Sequence, residues 1–337
     1  MTMCRVRQGR RFRSMLLLLA AVALWLLAAG GARADDCKVA MTDINFGQVS
    51  PIAGSDYVAQ GTLSVTCTWN LLSSILLADA NVCVNLGPGS GGGSGAPRWM
   101  TNGAQRVGFN LYTSNSYAVA AIWGGAGSTI GAKPVSMKIT GLLALAGVTQ
   151  TVTVYGQIPA ASLVGVPTVG NNDTVYNASF AGHGTLQYAY GAGRACTAGT
   201  SVAFAFQARA TVINNCVIGT SNLAFGSGSP LSDMRASAPL SVACTANSTY
   251  QIALNGGGSG NPAARRMTNS FTGETLGYRI SSTPDGAAWG DGSGGTTVYS
   301  GTGSGAAQSV MMYGTVPRQA APTPGDYRDT VTVLLTF

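Results

Sequence analysis

Side chains able to do acid–base or covalent chemistry are scarce in this sequence, and their spacing limits what they do. The one histidine, His183, sits between Gly182 and Gly184 with no serine and carboxylate placed to complete a catalytic triad. Six cysteines follow position 35, namely Cys37, Cys67, Cys83, Cys196, Cys216 and Cys244. None forms a C-x-x-C pair and no histidine cluster accompanies them, so a metal site is not expected. The glycine run 87–95 (GPGSGGGSG) lacks the Gly-Lys-Ser/Thr of a phosphate loop and reads as a flexible hairpin. No cofactor and no enzymatic activity are expected. The chemistry left to the cysteines is oxidation to disulfides, which requires an exporting route.

The N-terminus supplies that route. An arginine-rich start leads into the apolar run 15–29 (MLLLLAAVALWLLAA), then GGARA, with Ala32 and Ala34 at the −3 and −1 positions of a cleavage site. This pattern predicts a secretory signal peptide over residues 1–34, removed after Ala34. It also explains the formal charge of +7. Six of the 19 basic residues (Arg5, Arg7, Arg10, Arg11, Arg13 and Arg33) belong to this leader, leaving 13 against 12 acidic residues. The mature chain is close to neutral, and nucleic acid is not an expected partner.

An internal repeat orders the rest. CKVAMTDINFGQVSP from Cys37 and CVIGTSNLAFGSGSP from Cys216 carry Phe-Gly and Ser-Pro at the same offsets, and LSVTC answers LSVAC. RWMTN and RRMTN follow, then GFNLYTS and GYRISS, AIWGG and AAWGD, VYGQIP and MYGTVP, and NDTV and RDTV. The repeat pairs the cysteines: Cys37–Cys67 and Cys216–Cys244 are equivalent, and Cys83–Cys196 remains for the first copy alone. Each such bridge stabilises by about 2–4 kcal/mol.

Segments such as TLSVTC, QTVTVYGQI and DTVTVLLTF alternate apolar and polar residues at period two between Gly/Ser/Asn/Pro stretches. The fold class expected is all-β, with two tandem immunoglobulin-like, pilin-like β-sandwich domains. The first covers 35–200, completed by a strand 201–212, and the second covers 213–337. The second copy ends on a strand, 330–337, with Val331, Val333, Leu335 and Phe337 on one face; that edge is expected to accept a strand. The first copy continues into 201–212, with Val202, Phe204, Phe206, Ala208, Ala210 and Val212 on one face. That segment lies just before Cys216 and reads as the second copy's N-terminal extension, spent inside the molecule as an internal donor strand. A chain beginning at Asp35 would accept a strand and have none to donate, which places it at a fibre end. An unfilled sheet edge invites pairing with another chain.

The domain-opening Cys, the F-G turn, LSV-x-C, R-x-MTN, YG-x-(I/V)P and D-T-V together resemble spore coat protein U domains, the β-sandwich modules of archaic (Csu-type) chaperone–usher pili. A two-domain member is similar to the tip adhesin of such pili. The resemblance implies export through the periplasm to the cell surface at the pilus tip. It also implies a periplasmic chaperone, an outer-membrane usher and an adjacent pilin that donates a strand.

Three loops are more apolar in the first copy than in the second. They hold Leu71, Leu72, Ile75, Leu76 and Leu77; Leu142, Leu143, Leu145 and Val148; and Leu163, Val164 and Val166. Large apolar patches mark interaction sites, so these loops are expected to grip an abiotic or host surface and support biofilm formation. The competing expectations are a structural spore-coat or pilus-shaft subunit without adhesive activity, and a carbohydrate-binding lectin, for which carboxylates are few.

Overall fold

The computed structural model describes residues 35–93, 96–125, 132–143 and 146–337. The leader 1–34 and Leu145 lie outside the described residues. The chain folds into two tandem β-sandwich domains. In chain order the first contains β1 (Asp36–Met41), β2 (Ile44–Val49), β3 (Tyr57–Thr68), a one-turn helix α1 (Ser73–Leu76), β4 (Asp79–Leu86), β5 (Arg98–Asn102) and β6 (Gln105–Tyr112). It continues with β7 (Val135–Thr140), β8 (Val148–Ile158), β9 (Thr174–Ser179), β10 (Gly184–Tyr190), β11 (Thr200–Phe204) and β12 (Gln207–Val212). The second contains β13 (Cys216–Gly219), β14 (Met234–Cys244), β15 (Thr249–Leu254), β16 (Arg265–Asn269), β17 (Thr275–Ser281), β18 (Tyr299–Thr302), β19 (Ala307–Val316), β20 (Tyr327–Arg328) and β21 (Val333–Thr336).

In the first domain an eight-stranded sheet, β1-β3-β8-β6-β5-β9-β12-β2, faces a four-stranded sheet, β11-β10-β4-β7. Period-two alternation builds both: Leu63, Val65 and Cys67 of β3 and Val82, Val84 and Leu86 of β4 all point into one core. The larger sheet curls, because β1 and β2 follow each other in the chain yet lie at its two ends. Thr42 tethers that crossing, its backbone N–H donating to the Thr62 carbonyl at 3.1 Å.

The second domain repeats this plan with fewer strands: β13-β14-β19-β17-β16-β20 and β18-β15-β21. The registers align the two copies. Trp123 Nε1 donates to the Val84 carbonyl and Trp289 Nε1 to that of Ile252; Cys37 pairs Cys67 in the ladder as Cys216 pairs Cys244. By these registers β21 is the counterpart of β10, and β20 that of β9. Among the described residues, the second domain has no paired strand in the places of β2, β11 and β12.

Two expectations about these segments need correction. The segment 201–212 is not one strand: β11 pairs β10 in the smaller sheet, and β12 pairs β9 and β2 in the larger. The chain changes sheets between Phe204 and Gln207, so one segment closes two edges. Nor does RDTV stand where NDTV stands. Arg328 lies opposite Thr268 as Asn177 lies opposite Thr101, which puts Thr330–Thr332 beyond the paired strand; regular pairing resumes only at Val333.

The disulfides are Cys37–Cys67, Cys83–Cys196 and Cys216–Cys244. The domains meet along residues 167–172 and 213–215. Pro167 bridges to Ala246, and the Asn171 side chain clamps the Thr249 backbone, accepting from its N–H at 2.9 Å and donating to its carbonyl at 2.9 Å.

Candidate functional site

Two surfaces stand out, one on each domain. The first is a groove of about 610 Å³ in the second domain, walled on one side by 220–225 and on the other by 327–331, with Val333 also on its lining. Its floor is apolar: Leu254, Met267, Tyr278, Ile280 and Met312 come from four strands of the two facing sheets. The wall 220–225 follows the path of β2, and Gly314 lets it approach. A Cβ there would meet Leu223 and Phe225 at 2.7 Å, just as one at Gly156 would meet Phe46 at 2.8 Å.

In the first domain the same space holds β12. Ala208, Ala210 and Val212 are buried to 1% exposure or less, between β9, to which β12 runs antiparallel, and β2, to which it runs parallel. Phe204 and Phe206 are also buried, each stacked on Trp123 at 6.3 and 6.2 Å; Val202 is half-buried against the same core. Consequently Ile44, Phe46 and Tyr176 are core residues, while their counterparts Leu223, Phe225 and Tyr327 are half-exposed.

Of the acceptor-edge residues expected from the sequence, Val331 and Val333 line this groove and Leu335 packs on the second core. Phe337 does not belong with them: it is 46% exposed and borders a separate cleft beside Asn171 and Tyr250. The period-two pattern put all four on one face; the absence of strand pairing at Val331 and the chain's exit at Phe337 separate them.

One polar pair edges the groove. The Tyr278 hydroxyl donates to Asp329 Oδ2 at 2.6 Å, while the Gly258 N–H donates to Oδ1 at 2.8 Å. Burial, reinforced by that carboxylate, raises the Tyr278 pKa well above the ordinary phenol range. Deeper in each domain lies a buried arginine that sequence reading passed over. Arg98 donates to the carbonyls of Gly87 and Trp123 and to Asn110 Oδ1. Burial pulls its pKa down to about 10, so it stays charged at neutral pH. Arg265 repeats the position with the carbonyls of Asn255 and Leu254. These arginines tie sheet to loop and lie outside both candidate surfaces.

The second surface is the end of the first domain remote from the second. Trp69, 1% exposed, anchors it: its Nε1 donates to the Leu77 carbonyl at 3.1 Å, and Gly141 lies flat against its ring. Residues 70–77 and 141–143 therefore share one base. Helix α1 on that base is inverted. Ser73 and Ser74 face inward at 8% and 0% exposure, while Leu72, Ile75 and Leu76 face solvent at 66%, 54% and 69%. Asn70 holds this orientation by accepting from the Ser73 N–H at 2.8 Å. Leu71, Leu77, Leu142 and Leu143 are exposed around it.

The third apolar loop does not join this end. Leu163 and Val166 are buried core residues, at 1% and 6% exposure. They follow β8 at its opposite end, where Gly165 abuts Gly305 of the second domain; only Val164 is exposed. Val148, which begins β8, is half-buried against the core. Apolar composition alone did not distinguish a loop that plugs the core from one that projects.

Among the described residues there is no group of three or more His, Cys, Asp or Glu that could hold a metal ion, and no helix is long and apolar enough to cross a membrane.

One solved structure with the same fold is the CsuC–CsuE chaperone–tip adhesion subunit pre-assembly complex from archaic chaperone–usher Csu pili of Acinetobacter baumannii. It is 16% identical with a TM-score of 0.50, over 90% of this chain and 100% of that one. CfaE, the adhesive subunit of CFA/I fimbria of enterotoxigenic Escherichia coli, is 11% identical with a TM-score of 0.31, over 90% and 93% of the two chains. None of the curated proteins matches the chain. The profile of the Spore Coat Protein U domain matches residues 24–175 and again 202–334. With both copies matched, the chain belongs to the Spore Coat Protein U domain family and carries that domain twice.

Proposed function

We propose that this chain is a non-enzymatic pilus subunit of the tip. In this reading the first domain adheres to surfaces through its apolar end and contributes to biofilm formation. The second domain accepts a strand, first from a periplasmic chaperone and then, past an outer-membrane usher, from an adjacent pilin. The protein would travel through the periplasm to the cell surface.

The observation that carries adhesion is the inverted helix α1. A helix that serves only its own core buries its leucines and exposes its serines; here the reverse holds, on a base fixed by Trp69. Such a patch is a contact surface for an apolar partner, and a purely structural coat or shaft role leaves it without a purpose. The groove supports strand acceptance, because the sister domain fills the same space with an alternating strand.

The test replaces Leu71, Leu72, Ile75, Leu76, Leu142 and Leu143 with serine and measures attachment of piliated cells to polystyrene. Attachment falls about tenfold or more, since each exposed leucine that becomes buried contributes on the order of 1.5 kcal/mol, while fibre assembly is unchanged. Attachment at the normal level with normal fibres would sink the adhesive role. Inhibition by a free sugar, with the serine variant still attaching, would point to a lectin instead.

A further inference from the structure

The two grooves are nearly the same in composition, so the second domain could be expected to take any strand resembling the one that fills the first. Met100, Phe109 and Leu111 answer to Met267, Tyr278 and Ile280, and all of them face their cores. One position breaks the likeness. In the first domain Gly184 pairs with Leu86 on one side and with Phe204 on the other. A Cβ at Gly184 would stand 2.9 Å from the Phe204 ring and 2.8 Å from its carbonyl oxygen, so both the ring and the close approach of the strand's backbone depend on the missing side chain. In the second domain the residue paired with Leu254, the counterpart of Leu86, is Val333, and Val333 lines the groove. A phenylalanine entering as Phe204 does would meet a β-branched side chain with little rotamer freedom to yield.

The tryptophan beneath has also been taken up differently. Trp123 carries the stacked rings of Phe204 and Phe206, whereas Trp289 packs against Tyr299 of the neighbouring strand at 5.6 Å.

We infer that residue 333 selects the donor: the groove takes an extended, alternating segment of a partner subunit that carries a small side chain where the internal strand carries Phe204, and it refuses this chain's own 200–212 sequence. The inference rests on the strand-accepting reading above. It adds a consequence for the molecule itself. The segment 200–212 precedes the second domain directly, and Gly184 against Val333 directs it to the first domain rather than to the groove of its own or another copy.

The experiment extends the full chain after Phe337 with a Gly/Ser linker as long as the connection 191–199. The linker is followed either by the 200–212 sequence or by that sequence with alanine in place of Phe204. Both tails are made with Val333 and with Val333→Gly, and the thermal transition of the second domain is followed by calorimetry. With Val333 in place, the alanine tail raises the transition by about 5–10 °C and the phenylalanine tail leaves it near the untailed protein. With Val333→Gly the phenylalanine tail gains at least as much as the alanine tail. Equal gains from both tails beside Val333 overturn the selectivity and leave strand acceptance standing. No gain from either tail in either background overturns strand acceptance, and the selectivity with it. The reciprocal pair needs no tail: Gly184→Val lowers the first domain's transition more in the native chain than in a Phe204→Ala background, where the contact with the ring is gone and only that with the carbonyl remains. An unchanged transition for Gly184→Val would overturn the steric argument.

Discussion

The same end of the sandwich serves differently in the two domains. In the second, the connection between β14 and β15 is a short polar turn, 245–248, and with Gly305 it docks against 165–172 of the first domain. In the first, the corresponding connection is lengthened into Trp69–Ala78, and its leucines face outward. One fold end thus makes a hydrogen-bonded junction in one copy and an exposed apolar surface in the other. The opposite asymmetry runs along the sheet edges. The first domain is closed by β11 and β12, and the second keeps an open groove where those strands would lie. Duplication followed by divergence at loops and edges, with the core held constant, gives one chain two unlike ends.

Three further perturbations sharpen this contrast. The largest effect is expected from Ala210→Asp, which places an unpaired carboxylate at a fully buried position of β12. The cost is at least about 3 kcal/mol. Calorimetry of the full chain should show the first domain's transition lost or strongly lowered, with the second domain's transition retained. Loss of both would mean that the domains do not unfold as separate units.

A smaller effect separates the paired positions Ile44 and Leu223. Ile44→Ala removes a fully buried side chain and costs about 2–5 kcal/mol. Leu223→Ala, on a half-exposed wall, costs about 1 kcal/mol. Denaturant titration of each variant measures the difference, and a strand occupying the groove should raise the second value toward the first. Equal costs in the untailed chain would contradict the open-and-closed comparison.

The smallest effect is electrostatic. Burial raises the pKa of Tyr278 above that of a free phenol, and does the same to Tyr190, whose hydroxyl donates to the Thr68 carbonyl at 2.7 Å. A group whose folded pKa is raised contributes stability that is present below its unfolded pKa and is lost as pH rises through the folded value. Both domains should therefore lose stability as pH climbs above about 10, the phenol's ordinary value. Tyr278→Phe should flatten that decline in the second domain and leave the first domain's slope unchanged. A decline that is the same with and without the substitution would remove Tyr278 as its source.

Much of this molecule is legible in its sequence because β-strands record burial at period two. LSVTC and LSVAC, with their flanking motifs, disclose two copies of one all-β domain before any coordinate is known. The pattern has a blind side. It reports which residues share a face, but not whether another element covers that face. Val331, Val333 and Leu335, from one alternating run, all pack partly against the core, yet Val331 and Val333 also line the groove and Leu335 does not. Motif matching fails where insertions shift the register: RDTV looks like NDTV, yet the ladders set Arg328 where Asn177 stands. That shift concealed that Val333 occupies in the second domain the position of Gly184 in the first.

The sequence by itself determined the duplication, the strand-rich class and the segment available to complete the first domain, since the first follows from motifs repeated in order and the other two from composition and local alternation. Only the tertiary structure decided that Leu163 and Val166 are buried while Leu72, Ile75 and Leu76 project, because a short apolar loop has no periodicity to orient it. The groove is likewise tertiary. Its walls come from 220–225 and 327–331, far apart in the chain, and its shape depends on strands that one copy has and the other lacks.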